Sequence, residues 1–464
     1  MADQSLDRLA AACLLPSFPG LVAPEWVLRW AERGLGGLTL FAYNVEDRDQ
    51  LRALSDSLPG LLLAIDEEGG DVTRLEWERG SSTPGNLALG VVDDVELTEA
   101  VAGVIAADLT DCGIGRNFAP VADVNTNPRN PVIGVRSFGS DPELVARHVA
   151  AFVRGTQARG VVACAKHFPG HGDTAVDSHL ALPVAEGDWE PALIPFRAAI
   201  EAGVGSIMTA HLLVPALDDV PATLSRRILT DLLRGELGYE GLVISDALEM
   251  RGVADLVGVE EAAVRSIAAG SDALCVGHDL HEDAVERIHG ALVDAVTGGR
   301  IPVARLEEAA ARVHRARLTP SSLSPPDRTA GARAAARALR IDGQAHLGHP
   351  PFLIDLVPPA NIAAGEAQHN LAEILGVPRL VLTGAGNPEI PSDETPVVVL
   401  RDAGRHAWQA EVAAQIVEMR PDAVLIETGL PGPSPAPAAG YVLTYGAGRV
   451  NLETAATALR ATWS

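Results

Sequence analysis

The feature that most constrains this chain is a rhythm repeated over its first 315 or so residues: a short β-rich run, a turn, then a longer Ala/Leu/Arg helical stretch. The first run ends near residues 16–18. The others are GGLTLFAYN (36–44), LLLAIDEEGG (61–70), NFAPVADVN (117–125), VVACAKHFPG (161–170), GSIMTAH (205–211), GLVISDALEM (241–250) and DALCVG (272–277), eight in all. Several are continuously apolar, the pattern of strands buried on both faces of a parallel sheet. Between them lie amphipathic stretches such as LVARHVAAFVRGTQARG (144–160) and VEEAAVRSIAAG (259–270), each closed by a glycine that reads as a helix C-cap. Eight strands alternating with helices predict an α/β fold, a (β/α)8 TIM-type barrel over residues 1–316. A doubly wound open sheet is the alternative.

The Pro- and Ser-rich stretch RLTPSSLSPPDR (317–328) reads as a linker. After it come a helix (330–340), the runs PFLIDL (351–356), PVVVL (396–400), DAVLIET (422–428) and YVLTYG (441–446), and a closing helix (451–460). This alternation predicts a smaller three-layer α/β domain over residues 329–464. Few catalytic-type side chains cluster in it, so its expected role is structural or in oligomer formation.

Charge narrows the partners. A formal net charge of −25 repels phosphate backbones and anionic lipid heads, which argues against nucleic acid and membrane surfaces. The N-terminal stretch lacks a basic start followed by a long apolar run, and no apolar stretch is long enough to span a bilayer. Cys13, Cys112, Cys164 and Cys275 are widely spaced among apolar neighbours, as expected of buried thiols in a reducing compartment. A cytoplasmic location is therefore expected.

Titratable residues gather where the apolar runs stop: Asp66, Asp123, Lys166 with His167, His211 and Asp246. In a parallel barrel these strand ends form one rim, where such folds place their chemistry. One polar residue at a strand end is usually a turn former; five from five strands are harder to dismiss. The most informative stretch is KHFPGHGDTAVDSH (166–179), a Gly/Pro-rich loop that ends in Asp177 and His179. A carboxylate beside an imidazole holds the ring's orientation and favours its protonated form, which suits general acid/base work. Ser178 lacks a Gly-x-Ser-x-Gly elbow, against a serine hydrolase. His167, His171 and His179 have helical metal-ligand spacing, but the glycines and proline exclude the helix, so no metal is expected. Asp246 taken alone reads as an N-cap; on a shared rim it becomes a candidate carboxylate nucleophile. Asp66, beside paired glycines, and Arg136, in NPVIGVRSFGSD (130–141), read equally as sugar-hydroxyl partners or as structural ion pairs.

These segments resemble family-3 glycoside hydrolases, most nearly the bacterial β-N-acetylglucosaminidase branch of cell-wall recycling. That branch carries K-H-[FI]-P-G-[HL]-G-x4-D-[ST]-H, matched by residues 166–179 at every defined position. AIDEEGG, FAPVADVN, GVRSFGSDP and ISDALEM follow the family's order, and the resemblance covers roughly residues 10–315. It implies Asp246 as nucleophile, His179 as acid/base with Asp177 as its partner, and Asp66, Arg136, Lys166 and His167 as ligands of sugar hydroxyls. No cofactor is implied, and the expected partner is a small-molecule glycoside. The expected activity is retaining hydrolysis of terminal β-linked N-acetylglucosamine. Because a histidine replaces the second carboxylate of most retaining enzymes, phosphorolysis is an alternative, and a catalytically silent N-acetyl-sugar-binding protein is a second. ISDALEM departs from the more frequent family patterns at Glu249, for which no role follows from the sequence.

Overall fold

The structure, a computed structural model, describes residues 5–277, 281–317, 324–360, 369–386 and 388–462. Seven of the eight expected runs of the first region contain strands of three or more residues; the run 117–125 contributes only Asn117 to a two-residue strand and an isolated bridge at Val121, the rest of it being irregular. Six of the strands, β2 (Gly37–Leu40), β3 (Leu62–Ile65), β4 (Arg116–Asn117), β5 (Val162–Phe168), β6 (Ser206–Thr209) and β7 (Leu242–Ile244), form one parallel sheet in chain order. The remaining two, β1 (Leu14–Pro16) and β8 (Leu274–Val276), pair in parallel with each other. A parallel bridge from Ile244 to Ala273 carries the curl from β7 onto β8. On the other side, the Thr39 hydroxyl of β2 donates to the Leu15 carbonyl of β1 at 3.4 Å.

Burial explains the curl. Leu15, Ala64, Phe118, Cys164, Met208, Ile244 and Cys275 point inward and form one small buried cluster. The outward faces of the same strands pack against helices, as in Phe152 of Pro142–Gln157 and Val285 and Ile288 of Glu282–Thr297, within a much larger core. Strands buried on both sides have no solvent face, which is why several of their sequences read as continuous apolar runs. The helices are capped as their sequences suggest: before Pro142–Gln157, the Asp141 side chain accepts from the Glu143 amide and proline occupies the first turn.

The second region is a mixed sheet of β9 (Arg340–Gly343), β10 (Pro351–Leu356), β11 (Arg379–Leu382), β12 (Thr395–Leu400), β13 (Val424–Glu427) and β14 (Gly440–Leu443), in the order β11-β10-β12-β13-β14-β9. Only β9 runs antiparallel. Alternate residues of the central strands face opposite layers. Leu353, Val397 and Ile426 meet the helix Arg449–Arg460, while Ile354, Val398 and Leu425 meet the helix Ala407–Met419. The four runs expected from the sequence are the central strands β10, β12, β13 and β14. Both edges went unread: β9 is exposed throughout and β11 is nowhere fully buried. Charged edges of that kind blunt unwanted pairing and carry no strong apolar signal.

Residues 318–323 of the expected linker lie outside the described residues. The helix Ala330–Ala338 that follows bridges the two regions. Its Ala330 and Ala334 join the core of the first, and Ala338 packs with Leu87, Ala88 and Tyr445. No described helix is long and apolar enough to cross a membrane. The four cysteines are buried and unpaired.

Candidate active site

The strand register brings the titratable residues to one end of the curled sheet. Asp66 follows β3 directly, Lys166 and His167 lie near the C-terminal end of β5, and His211 and Asp246 each stand two residues beyond β6 and β7 respectively. Arg136 ends a short turn, Gly134–Arg136, in the loop after β4.

At the floor of the site lies an ion-pair cluster. The Lys166 ammonium contacts Asp66 Oδ1 at 2.6 Å and Glu68 Oε1 at 2.7 Å. Arg136 donates to both oxygens of Glu68, through Nη2 at 2.8 Å and Nε at 3.0 Å. Burial alone would raise the Glu68 carboxyl; Arg136 and Lys166 overcome it and hold the group well below the usual carboxylate range. Burial likewise favours a neutral Lys166, yet Asp66 and Glu68 hold its amine above the ordinary value. Of the two sequence readings of Asp66 and Arg136, the ion pair is the one observed. Each is in an ion pair of one connected cluster. Glu68 was not singled out in the sequence, where it is the third of three consecutive acids. The alternation of an extended chain puts Asp66 and Glu68 on one face. Glu67 turns away, its carboxylate accepting from the Arg74 and Leu75 amides; desolvation raises its pKa to about 7.

A second layer is organised by Asp123, which is fully buried. Its Oδ2 takes His167 Nδ1 at 2.7 Å, and its Oδ1 accepts from the amides of His167 and His171 at 3.2 and 2.7 Å. One carboxylate thus fixes the His167 ring and the start of the loop that leads to His179. The three histidines of that loop each have a separate partner. His171 Nδ1 meets Thr174 Oγ1 at 2.7 Å and its Nε2 meets Ser178 Oγ at 3.3 Å. His179 Nδ1 meets Asp177 Oδ1 at 2.7 Å, and that same oxygen accepts the His179 amide at 2.9 Å. Burial raises the Asp177 carboxyl, but His179 outweighs it and the group stays below its usual value. With Nδ1 donating to Asp177, Nε2 of His179 is the atom left to carry a proton, and the ring keeps 28% of its surface exposed.

Asp246 is partly exposed and accepts one hydrogen bond among the described residues, from the Ala247 amide at 2.8 Å. Burial raises its pKa, but His211, His167 and His179 together hold it below the ordinary aspartate value. Such a carboxylate stays charged without a strong cation gripping it. His211 donates or accepts only within the scaffold, with Thr223 at Nδ1 and the Ala247 carbonyl at Nε2, both at 2.9 Å, and burial pushes its pKa down.

Two glycines let the His179 loop close on the sheet. At Gly252, at the start of the helix Arg251–Val257, the amide donates to the Ser178 carbonyl at 3.1 Å, and a Cβ there would lie 3.1 Å from the same oxygen. A Cβ on Gly172 would sit 1.8 Å from the Val124 carbonyl oxygen, so only glycine fits. Glu249, without a role in the sequence reading, accepts the Gly277 amide at 2.9 Å beyond β8.

A cavity of about 700 Å³ lies away from this rim. It lies between the two regions, walled by Trp77, Leu356, Leu371, Val399 and Leu452 among others. Ala360 and His369 also line it.

A curled parallel sheet with a carboxylate and an imidazole–carboxylate pair at the C-terminal rim is an arrangement of glycoside hydrolases. Residues 23–316 match the glycosyl hydrolase family 3 N-terminal domain, and the chain belongs to that family. It is 38% identical over 314 residues to a β-hexosaminidase A of Pseudoalteromonas piscicida, an alignment covering 60% of this chain and 52% of that one. The chain thus spans about half the length of that relative. A β-hexosaminidase of Chromobacterium violaceum is 38% identical over 264 residues, 53% of this chain and 73% of its own. Among solved structures, a family 3 β-N-acetylglucosaminidase from Paenibacillus sp. superposes with a TM-score of 0.88 at 32% identity, covering 99% of this chain and 97% of that one.

Proposed function

We propose that the protein hydrolyses terminal β-linked N-acetylglucosamine with retention, acting on small cell-wall fragments in the cytoplasm. The observation that carries this reading is Asp246: a charged carboxylate at a strand end, bound by one amide, its other oxygen free among the described residues. In the proposed first step that oxygen attacks the anomeric carbon. The glycosidic C–O bond breaks as His179 Nε2 gives its proton to the departing oxygen, leaving a glycosyl ester on Asp246 and a neutral imidazole. In the second step His179 takes a proton from water, the resulting oxygen nucleophile attacks the same carbon, and the ester bond to Asp246 breaks. Asp177 holds the imidazole throughout. Asp66, Arg136, Lys166 and His167 bind the sugar hydroxyls, with Glu68 holding Arg136 and Lys166 in place. The reading includes closure of β1 against β2 into a complete (β/α)8 barrel over residues 1–316 and a separate C-terminal domain over 329–464.

The test is nitrophenol release from nitrophenyl N-acetyl-β-glucosaminide, compared with the plain β-glucoside, in phosphate-free buffer. The proposal expects a strong preference for the acetamido sugar and loss of turnover in a folded Asp246→Ala variant. Near-normal activity in that variant sinks the assignment. A second reading, phosphorolysis, draws on the imidazole in place of a second carboxylate, which does not repel an anionic acceptor; it requires phosphate to accelerate turnover and sugar 1-phosphate to form. Binding of N-acetylglucosamine without any turnover would instead favour a silent sugar-binding protein.

A further inference from the structure

We infer that Asn130 is a positioning residue that sets the sugar-binding loop and the acid/base loop in register, and that Arg405 of the second sheet region holds it in place. The inference rests on the proposed roles of Arg136 and His179.

Asn130 is fully buried in the irregular stretch between β4 and Arg136. Its amide is used at every position an asparagine offers. Oδ1 accepts from the Val132 and Ile133 amides at 3.0 and 2.8 Å. Nδ2 donates to the His171 carbonyl at 2.8 Å and to Thr174 Oγ1 at 3.4 Å. The oxygen side therefore shapes the turn carrying Arg136, whose Nη1 donates to the Val132 carbonyl at 3.1 Å. The nitrogen side ties down the loop after β5. There Thr174 and Ser178 hold the two nitrogens of His171, and Ser178 immediately precedes His179. One side chain thus stands between two loops that leave different strands.

The backbone carbonyl of the same residue accepts from Arg405 Nη1 at 2.6 Å, a contact made across 275 positions of sequence. A second contact from the same region reaches the other half of the sugar floor. Arg401 pairs with Asp71, whose other oxygen accepts the Ala447 amide at 2.7 Å. Asp71 lies in the tight turn closed by the Glu68 and Gly69 amides on the Val72 carbonyl. Glu68 and Arg136, partners in the floor, therefore sit on two loops that the C-terminal region holds from outside. That gives the region a part in the site although, among the described residues, none of its side chains hydrogen-bonds Asp246.

Asn130→Asp separates the two jobs of the side chain. One oxygen still accepts the Val132 and Ile133 amides; the other meets the His171 carbonyl, replacing an attraction with a repulsion. The expected result is a fall of about tenfold or more in kcat/KM for an alkyl or disaccharide glycoside, which needs proton donation. For the nitrophenyl glycoside kcat/KM stays within about threefold, because its leaving group needs little acid help. Inhibition by free N-acetylglucosamine stays unchanged, since the Arg136 turn is kept. Arg405→Ala is expected to weaken that inhibition by about threefold to tenfold, the loss of one anchoring hydrogen bond, and Arg405→Lys to restore part of it. Equal loss on both glycosides in Asn130→Asp, or unchanged inhibition in Arg405→Ala, overturns the inference. If Asn130→Asp does not fold, Arg405→Ala and Arg405→Lys decide it on the inhibition constant alone. A wild-type protein that turns over neither glycoside refutes the proposed function instead.

Discussion

Replacing Glu68 by glutamine keeps the shape of the side chain and removes its charge. In the wild type that charge is shared by two cations, Arg136 through both oxygens and Lys166 at 2.7 Å, and the side chains of all three are nearly sealed from solvent. In Glu68→Gln the fully buried guanidinium of Arg136 loses its carboxylate partner, and Lys166 is left with Asp66 alone. Removing one member of a buried ion pair costs about 3–5 kcal/mol, because the remaining charge is desolvated without compensation. For a domain of this size, at about 2.1 cal/mol/K of unfolding entropy per residue, that corresponds to a fall of roughly 4–8 °C in the melting midpoint. The pH dependence gives an independent check. Glu68 is held below its ordinary value of 4.5, so its contribution is fully present above that pH and disappears as the pH falls through the folded value. The difference between wild type and variant in urea unfolding should therefore be constant near neutrality and shrink in acid below about pH 4.5. A variant that melts with the wild type at pH 7, or a gap that widens on acidification, would refute the reasoning.

Four further outcomes follow from the geometry. His179→Ala should keep the first step for nitrophenyl substrates and become limited by hydrolysis of the glycosyl ester, seen as a burst of nitrophenol; equal loss on good and poor leaving groups counts against an acid/base role. His211→Gln removes one of the groups that hold Asp246 low, so the acid limb of kcat/KM, where activity falls as Asp246 takes up a proton, should move to higher pH; an unmoved limb rejects that account. Gly172→Ala places a Cβ 1.8 Å from a backbone oxygen and should abolish activity and reduce protection of the loop amides in hydrogen exchange. Arg116 of β4 is fully buried, none of its three nitrogens hydrogen-bonded among the described residues, and desolvation lowers its pKa to about 10. Arg116→Met should raise the melting temperature, by the same logic that makes apolar replacement of buried ions stabilising by about 1–4 kcal/mol; a lower midpoint shows that the guanidinium is satisfied in solution.

The sequence exposed different parts of the molecule for different reasons. Most of the strands β1 to β8 were legible because burial on both faces leaves mainly apolar residues, the two-residue β4 of Arg116 and Asn117 being the exception, while β9 and β11 carry the charges of sheet edges and gave no such signal. Asp177 and His179 could be paired because they are two residues apart, and their 2.7 Å contact is a local fact. Asp123 was noticed only as a strand-end acid. Its hold on His167 spans 44 residues, a distance at which spacing carries no information. Glu68 had a usable signal, since Asp66 and Glu68 share a face in an extended chain while Glu67 does not. Asn130 and Arg405 had none, because their roles come from loops and a second region brought together only by the fold.

The pattern of charges also says why an imidazole suits this rim. Lys166 is matched by Asp66 and Glu68, and Arg136 by Glu68, so neither strong cation is spare for Asp246. What faces Asp246 instead is a group of imidazoles, His167, His179 and His211. On the proposed assignment, ester formation removes the negative charge of Asp246 in the same step in which His179 gives up its proton. The pair passes from one minus and one plus to two neutral groups, with no change in net charge. With a carboxylic acid as proton donor the pair would begin and end with one negative charge, now sitting where the incoming nucleophile must approach. At an effective dielectric of about 20, one unit charge at 4 Å shifts an anion's energy by about 4 kcal/mol, enough to exclude it from such a site. The imidazole removes that barrier, leaving water and an anionic acceptor to be separated by other contacts. Whether phosphate changes the rate is thus decided by the groups lining its approach and not by the acid/base itself.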